Sequence, residues 1–132
     1  MDKTKSFEEL IVWQKSYAFT LSIYQYTKNF PKEERYGVTS QLRRAVASVT
    51  ANITEGYKRL GKKDKLKFLN FAEASLGECQ FFIMLSFDLM YLDNAAKTDL
   101  DNRSEEVGRL LTAYCKAIRN NNTPPPTIDA QG

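Results

Sequence analysis

A cluster of cationic side chains in the middle of the sequence has the clearest capacity for chemistry. The segment QLRRAVASVTANITEGYKR, residues 41–59, places four of them around small residues, and four lysines follow before residue 68. Between residues 35 and 67, nine basic residues stand against two acidic ones, a local charge of +7 in a chain whose total is +3. Such clusters neutralise the phosphates of a polyanion, so we predict RNA or DNA binding. The predicted contacts are Arg43, Arg44, Lys58, Arg59, Lys62, Lys63, Lys65 and Lys67.

A second interpretation of the same residues stays open. Arg43 and Lys58 share one helical stripe with small side chains, which suits a closely packed helix as well as a phosphate backbone. Helix-borne arginines beside small residues are as often ion-pair partners between helices as phosphate ligands, and lysines in a loop often serve solubility alone. Tyr57 lies among the bases, and we expect its ring to be available for stacking on an unpaired base.

The sequence lacks the side chains that most enzymes and metal sites need. It contains no histidine, the commonest general base, and Glu73 and Glu78 are five residues apart, which does not give a shared helix face. Cys79 and Cys115 have no base nearby, and EGYKRLGKK does not have the spacing of a phosphate-binding loop. We predict a non-enzymatic protein without metal or cofactor, leaving tyrosine or carboxylate chemistry as the enzyme alternative.

Length and composition predict one domain in the cytoplasm. The chain has 132 residues, and its apolar share of 42% is ordinary for a globular protein. It contains no apolar run long enough to span a membrane, and both cysteines lie inside helical patterns, which favours a reducing compartment. We predict a single domain over residues 1–121 and a disordered, proline-rich tail over residues 122–132.

Four helical segments are predicted to position the cationic residues. The first covers residues 7–29 with Ser6 as its N-cap, the second runs from Val38 to about Tyr57, and the fourth runs from about Lys97 to Asn120. The third is capped by Asp64 and runs to about Leu92. No segment has a convincing strand pattern. The sequence therefore predicts an all-α protein, an antiparallel up-down-up-down four-helix bundle.

Apolar residues on the first and third helices predict the buried surfaces. On the first helix, residues spaced by three and four form the predicted apolar face, and we place Trp13 and Tyr17 in the core: Leu10, Trp13, Tyr17, Leu21 and Tyr24. The third helix ends in FFIMLSFDLMYL, which is apolar nearly all the way round and needs cover from a second surface. We predict an oligomer interface there, formed by Phe81, Phe82, Met84, Leu85 and Phe87.

The sequence resembles a known family. Residues 7–59 are similar to the start of the four-helix bundle proteins encoded in bacterial 23S rRNA intervening sequences. The most specific elements are Trp13, the FP of residues 30–31, the YG of residues 36–37, QLRRA and ANITEG. The resemblance covers residues 6–92 well and the fourth helix weakly. Thr54 replaces an expected alanine and Val46 a common small residue, without disturbing the helical pattern.

This resemblance implies an assembly and partners. Family members look like barrel-shaped homopentamers, and a relative, the accessory variability determinant of diversity-generating retroelements, binds nucleic acid and a reverse transcriptase through a basic surface. The resemblance thus implies a homopentamer, with RNA or DNA as a partner and a reverse transcriptase as a further one. The leading hypothesis is a ring-forming protein that binds nucleic-acid phosphates. The alternative is a protein-interaction scaffold or accessory factor with no direct nucleic-acid binding.

Overall fold

Four α-helices and two short 3₁₀ helices make up the computed structural model, which describes residues 6–120. The α-helices are α1 (Ile11–Thr27), α2 (Val38–Lys58), α3 (Lys62–Asp88) and α4 (Asn94–Arg119), and the 3₁₀ helices are Phe7–Glu9 and Lys32–Glu34. Each helix packs on the next, and α4 returns to α1, so α1 and α3 lie on one diagonal and α2 and α4 on the other. This confirms the predicted all-α four-helix bundle. The predicted tail, residues 122–132, lies outside the described residues.

The first helix starts later than predicted. Ser6 does act as a cap, since its hydroxyl accepts a hydrogen bond from the Glu8 amide at 3.2 Å, but it caps the 3₁₀ helix Phe7–Glu9. Leu10 then adopts an extended conformation, with ψ near 131°, which separates this turn from α1. Its side chain is fully buried, so the break lets the entering chain pack against the bundle.

Three of the predicted boundaries of α3 and α4 are wrong. Gly61, rather than Asp64, occupies the N-cap of α3, and Asp64 lies in the first turn. The helix ends at Asp88, because Met90 takes a positive φ of 68° that interrupts helical geometry. A new cap follows at once: the Asp93 carboxylate accepts a hydrogen bond from the Ala96 amide at 2.8 Å, which starts α4 three residues before the predicted position.

The core is apolar and continuous along the bundle. Its largest fully buried side chains come from all four helices and the Leu10 turn: Leu10, Phe19, Ile23, Leu42, Ile53, Leu69, Ile83, Leu100 and Leu111. Both cysteines are buried here without a disulfide. Burial raises the pKa of Cys79 to about 12 and that of Cys115 to about 11, so both thiols stay protonated at neutral pH. Neither is an activated nucleophile.

A line of hydroxyl groups joins α1 to α2. The Trp13 indole donates a hydrogen bond to Thr54 Oγ1 at 2.9 Å, and Thr50 Oγ1 lies 2.6 Å from Ser16 Oγ and 3.0 Å from Thr20 Oγ1. Small residues on α2 were expected to allow a close helix neighbour, and the threonines of this line face α1. Because these hydroxyls satisfy one another, the two helices approach closely without leaving a buried polar group unpaired.

The face of α1 predicted to be buried is in large part exposed. Tyr17, Leu21 and Tyr24 are 46%, 53% and 41% exposed, and Trp13 is only partly buried, packing against the core's edge. The buried face consists instead of Val12, Ser16, Phe19, Ile23 and Thr27. The prediction failed because hydroxyl residues occupy the buried face, where they bond to α2 or to their own helix. Across residues 6–120, no helix is long and apolar enough to cross a membrane.

Candidate nucleic-acid interface

Three helix ends meet at one end of the bundle and bring basic residues together. Antiparallel packing places the last turn of α2, the first turns of α3 and the last turn of α4 at the same end of the bundle, with α3 in contact with both other helices. The Lys62 ammonium confirms this arrangement, since it donates to the Arg119 carbonyl at 3.4 Å. We call this surface the basic end. Its members are Lys58, Arg59, Lys62, Lys63, Lys65, Lys67, Lys116 and Arg119.

Three lysines of the basic end are exposed and open to a ligand. Within residues 6–120, the side chains of Lys58, Lys63 and Lys67 form no hydrogen bond or ion pair. Lys58 lies 5.8 Å from the ring of Phe7 and Lys67 lies 5.9 Å from that of Phe68, contacts too weak to hold an exposed lysine in place. These three ammonium groups can therefore turn towards a phosphate with little loss of internal contacts.

Arg59 is held loosely. Its guanidinium donates to Glu55 Oε1 at 3.0 Å, one turn back on α2, and lies 4.3 Å from the ring centre of Phe68. Both members of the ion pair are about half exposed, so screening by water and salt leaves the pair weak. A phosphate can compete for this guanidinium, although Glu55 lowers the positive charge around it.

Lys65 differs from its neighbours because it serves the fold. Its ammonium donates hydrogen bonds to the Tyr57 carbonyl at 2.8 Å and the Gly56 carbonyl at 3.3 Å, which are free acceptors at the end of α2. Partial burial lowers the pKa of Lys65. We therefore remove Lys65 from the phosphate contacts that the sequence predicted.

Replacing Lys65 by methionine is expected to destabilise the protein by about 1 kcal/mol, because two carbonyl groups at the end of α2 lose their donor. The matched variant Lys63→Met removes the same charge from an exposed side chain without a partner in the described chain, and should leave stability unchanged. Urea unfolding followed by circular dichroism measures both. Equal stability of the two variants would show that Lys65 does not support α2.

The arginines on α2 lie apart from the basic end. Arg43 donates from Nε to Thr27 Oγ1 at 2.8 Å and from Nη2 to the Tyr24 carbonyl at 3.3 Å, and its guanidinium covers the Tyr24 ring at 4.7 Å. These contacts cap the C-terminal end of α1. Arg43 is 15 positions from Lys58, about 22 Å along a helix at about 1.5 Å per residue. Arg44 is exposed and forms no ion pair or hydrogen bond within the described residues, but it shares this distant position.

Sequence reasoning missed two members of the basic end and misjudged one aromatic residue. Lys116 and Arg119 lie in the last turn of α4, and the predicted antiparallel topology already placed that turn beside the start of α3, at the same end of the bundle as the end of α2. Tyr57, expected to be free for base stacking, is only partly exposed and packs against the core, with the Lys65 ammonium 5.7 Å from its ring. Phe71, on the outer side of α3 one turn after Lys67, is 45% exposed.

The residues predicted for an oligomer interface are divided between the surface and the core. Phe81 and Met84 are each 51% exposed on α3. Phe82 and Leu85 pack against the core, and Phe87 is partly buried, with the Lys97 ammonium 5.4 Å from its ring. Of the five predicted residues, only Phe81 and Met84 leave about half of an apolar side chain exposed.

The described chain offers no alternative site with recognisable metal chemistry. Among residues 6–120, no three acidic or cysteine side chains are grouped so that they could hold a metal ion. A polar cluster with an ionisable phenol links Tyr26 to Asp99, at 2.8 Å, and Asp99 to Arg103, at 3.2 Å. The hydrogen bond to Asp99 raises the pKa of Tyr26, which keeps the phenol protonated and makes it a poor base at neutral pH.

Comparison with known proteins agrees with the fold. A solved structure of a protein of unknown function from the S23 ribosomal protein family of Bacteroides thetaiotaomicron superposes with a TM-score of 0.72. It is 25% identical in sequence, and the match covers 80% of this chain and 99% of the other. The comparison with curated proteins gives no match. Neither this structure's description nor the family's names a catalysed reaction.

The sequence pattern of one family extends over most of the bundle. It matches residues 8–113, from the first 3₁₀ helix to the last turns of α4, and thus includes the fourth helix, where the resemblance in the sequence was weak. The chain belongs to the 23S rRNA-intervening sequence protein family.

Proposed function

We propose that this protein is a non-enzymatic, ring-forming, cytoplasmic bundle that binds RNA or DNA phosphates through its basic end. The supporting observation is that three helix ends carrying eight basic residues meet at one end of the bundle. Six of these residues lie between positions 55 and 67, where the only acidic residues are Glu55 and Asp64. Glu55 already pairs with Arg59, so most of the positive charge is uncompensated. The family description refers to 23S rRNA, which makes RNA the first polyanion to test.

The geometry favours contacts to phosphates over reading of bases. Lys58, Lys63 and Lys67 are compact charges on flexible chains, and they are spread over the end of α2 and the first two turns of α3. Lysines arranged in this way neutralise phosphates without bidentate hydrogen bonds to base edges. Binding should therefore depend weakly on sequence and strongly on salt concentration.

Fluorescence anisotropy with a labelled, mixed-sequence, single-stranded RNA of about 20 nucleotides tests this proposal, with DNA of the same sequence beside it. Three to five phosphate contacts predict that log K falls with log salt with a slope of about −2 to −3.5. Affinity should then drop about 10-fold to 100-fold between about 50 and 200 mM salt. No binding at the lower salt, or binding insensitive to salt, contradicts the proposal and favours a protein-interaction scaffold or an accessory factor of a reverse transcriptase.

The same samples test the enzyme alternative. After incubation with and without magnesium, the labelled RNA is run on a denaturing gel. We expect intact RNA in both, because the basic end contains no cysteine and the sequence contains no histidine to act as a nucleophile or general base. Metal-dependent cleavage that persists through repeated purification would contradict the non-enzymatic part of the proposal.

A further inference from the structure

One fully exposed leucine lies among the charged residues of the basic end. Residues 58–65 read KRLGKKDK, in which Leu60 is the only large apolar residue. Leu60 is 98% exposed, the highest value of any large apolar residue within the described residues 6–120. The core of the bundle therefore gains nothing from this side chain, and the small polar residues usual in a bend would serve the connection as well.

The bend that carries Leu60 is short and is tied to both helices. Arg59, Leu60 and Gly61 are the only residues between α2 and α3. The Arg59 amide donates to the Glu55 carbonyl at 3.1 Å, and the Lys65 amide donates to the Gly61 carbonyl at 2.9 Å, so helical hydrogen bonds reach the bend from both sides. The Lys65 ammonium adds two bonds to carbonyl groups at the end of α2. Because the backbone is already ordered, binding through this leucine costs little conformational entropy.

The neighbouring cationic side chains leave the leucine uncovered. The Arg59 guanidinium lies 4.3 Å from the ring centre of Phe68. The Lys62 ammonium turns to the Arg119 carbonyl, at 3.4 Å. Leu60 is thus an apolar tip at the end of the bundle, with basic residues on both sides of it in the chain.

The charge around this tip limits what can cover it. The basic end of a second copy carries the same charge and would be repelled. A partner must present negative charge together with apolar surface, as a nucleic acid does with its phosphates and bases and an anionic membrane does with its lipids. One leucine buries too little hydrocarbon to hold a protein on a bilayer, where even a whole acyl chain gives only marginal binding. Between two bases, the same side chain is covered on both of its faces.

The physics of base stacking selects the place where a leucine can enter. Leucine is one of the side chains that nucleic-acid-binding proteins insert between neighbouring bases. Insertion into a continuous duplex separates two stacked pairs, which opposes binding. A step beside an unpaired nucleotide is already poorly stacked, so insertion there costs less. Loops and bulges of RNA offer such steps, because their bases can be splayed apart.

We propose that Leu60 inserts between two neighbouring bases of the bound RNA, at a step next to an unpaired nucleotide. This rests on the proposed function, because the lysines of the basic end hold the phosphates while Leu60 enters the stack. The cations supply most of the affinity, and the leucine supplies a preference for RNA whose stem is interrupted. Since the leucine contacts no phosphate, the salt dependence of binding does not involve it.

Two RNA hairpins with a 2-aminopurine at the same stem position test the proposal. One stem is continuous, and the other has a single unpaired nucleotide beside the 2-aminopurine, whose fluorescence rises when its neighbours unstack. We expect the wild type to bind the interrupted hairpin about 10-fold more tightly, the value of one buried leucine side chain, and to raise its fluorescence. Leu60→Ala should reduce this preference to within about 2-fold and abolish the rise, without changing the slope of log K against log salt. The fold should survive at so exposed a position, as circular dichroism will check.

Met90→Ala is the matched control, because Met90 is 89% exposed on the connection between α3 and α4, at the opposite end of the bundle. It should bind both hairpins as the wild type does. A Leu60→Ala variant that keeps the preference and the fluorescence rise overturns the inference, as does one that loses affinity equally for both hairpins. If Leu60→Ala instead loses binding to vesicles of equimolar phosphatidylserine and phosphatidylcholine, with RNA binding unchanged, the leucine serves a membrane surface and the inference is wrong.

Failure of the proposed function gives a different result from failure of this inference. A wild type that binds neither hairpin at low salt contradicts nucleic-acid binding itself and removes the role of Leu60 with it. A wild type that binds both hairpins equally, with a steep salt dependence, retains the proposed function and overturns only the insertion of Leu60.

Discussion

Reversing the three free lysines of the basic end is expected to lower RNA affinity by at least about 100-fold at low salt. The variant combines Lys58→Glu, Lys63→Glu and Lys67→Glu. Each substitution removes a phosphate contact and adds a negative charge that repels the strand. The fold should remain intact, because these side chains form no hydrogen bond or ion pair within residues 6–120. Anisotropy titration of the labelled RNA measures the loss. The slope of log K against log salt should become shallower by about 2 to 3, because three phosphate contacts are lost.

A matched charge reversal elsewhere separates location from net charge. Lys32→Glu, Arg35→Glu and Arg44→Glu change the total charge by the same amount, and all three residues are exposed near the opposite end of the bundle. We expect this variant to bind RNA within about 5-fold of the wild type, since the three substituted side chains are farther from the bound strand than one Debye length. Equal losses in the two variants would mean that RNA responds to overall charge, and a larger loss in the second would move the site to α2, where Arg44 lies.

The four-helix architecture could be predicted because long segments carry an unbroken helical period and short connections join them. Residues 38–57 illustrate this, since the predicted bounds of α2 agree with Val38–Lys58 within one residue. Helix starts were harder. Asp64 is an ordinary N-cap residue, yet Gly61 takes the position, because Lys65 turns back to cap α2 and α3 begins directly after the bend. Contacts between helices set these boundaries, and the sequence of a single segment does not show such contacts.

The site was predicted in part. The lysines around residue 61 could be found from composition, because charge in a short connection stays together however the helices pack. Arg43 could not be placed, since its role depends on the Thr27 hydroxyl and the Tyr24 carbonyl of another helix. Lys116 lay within reach of topological reasoning, because the up-down order of the helices brings the end of α4 to the same end of the bundle as the end of α2.

Replacing Phe19 by alanine is expected to destabilise the bundle by about 3 to 5 kcal/mol, a large part of the stability of a domain of this size. Phe19 is fully buried, and its removal leaves a cavity in the core. It lies on the buried face of α1, which the sequence pattern did not identify. The control is Leu21→Ala on the same helix, which the pattern placed in the core but which is 53% exposed. This control should change stability by no more than about 0.5 kcal/mol.

Urea unfolding followed by circular dichroism measures the stability of both variants. A large effect at Leu21 with a small one at Phe19 would reverse the orientation of α1. The expected order places the hydroxyls of Ser16 and Thr20 against α2 and leaves Tyr17 and Tyr24 at the surface.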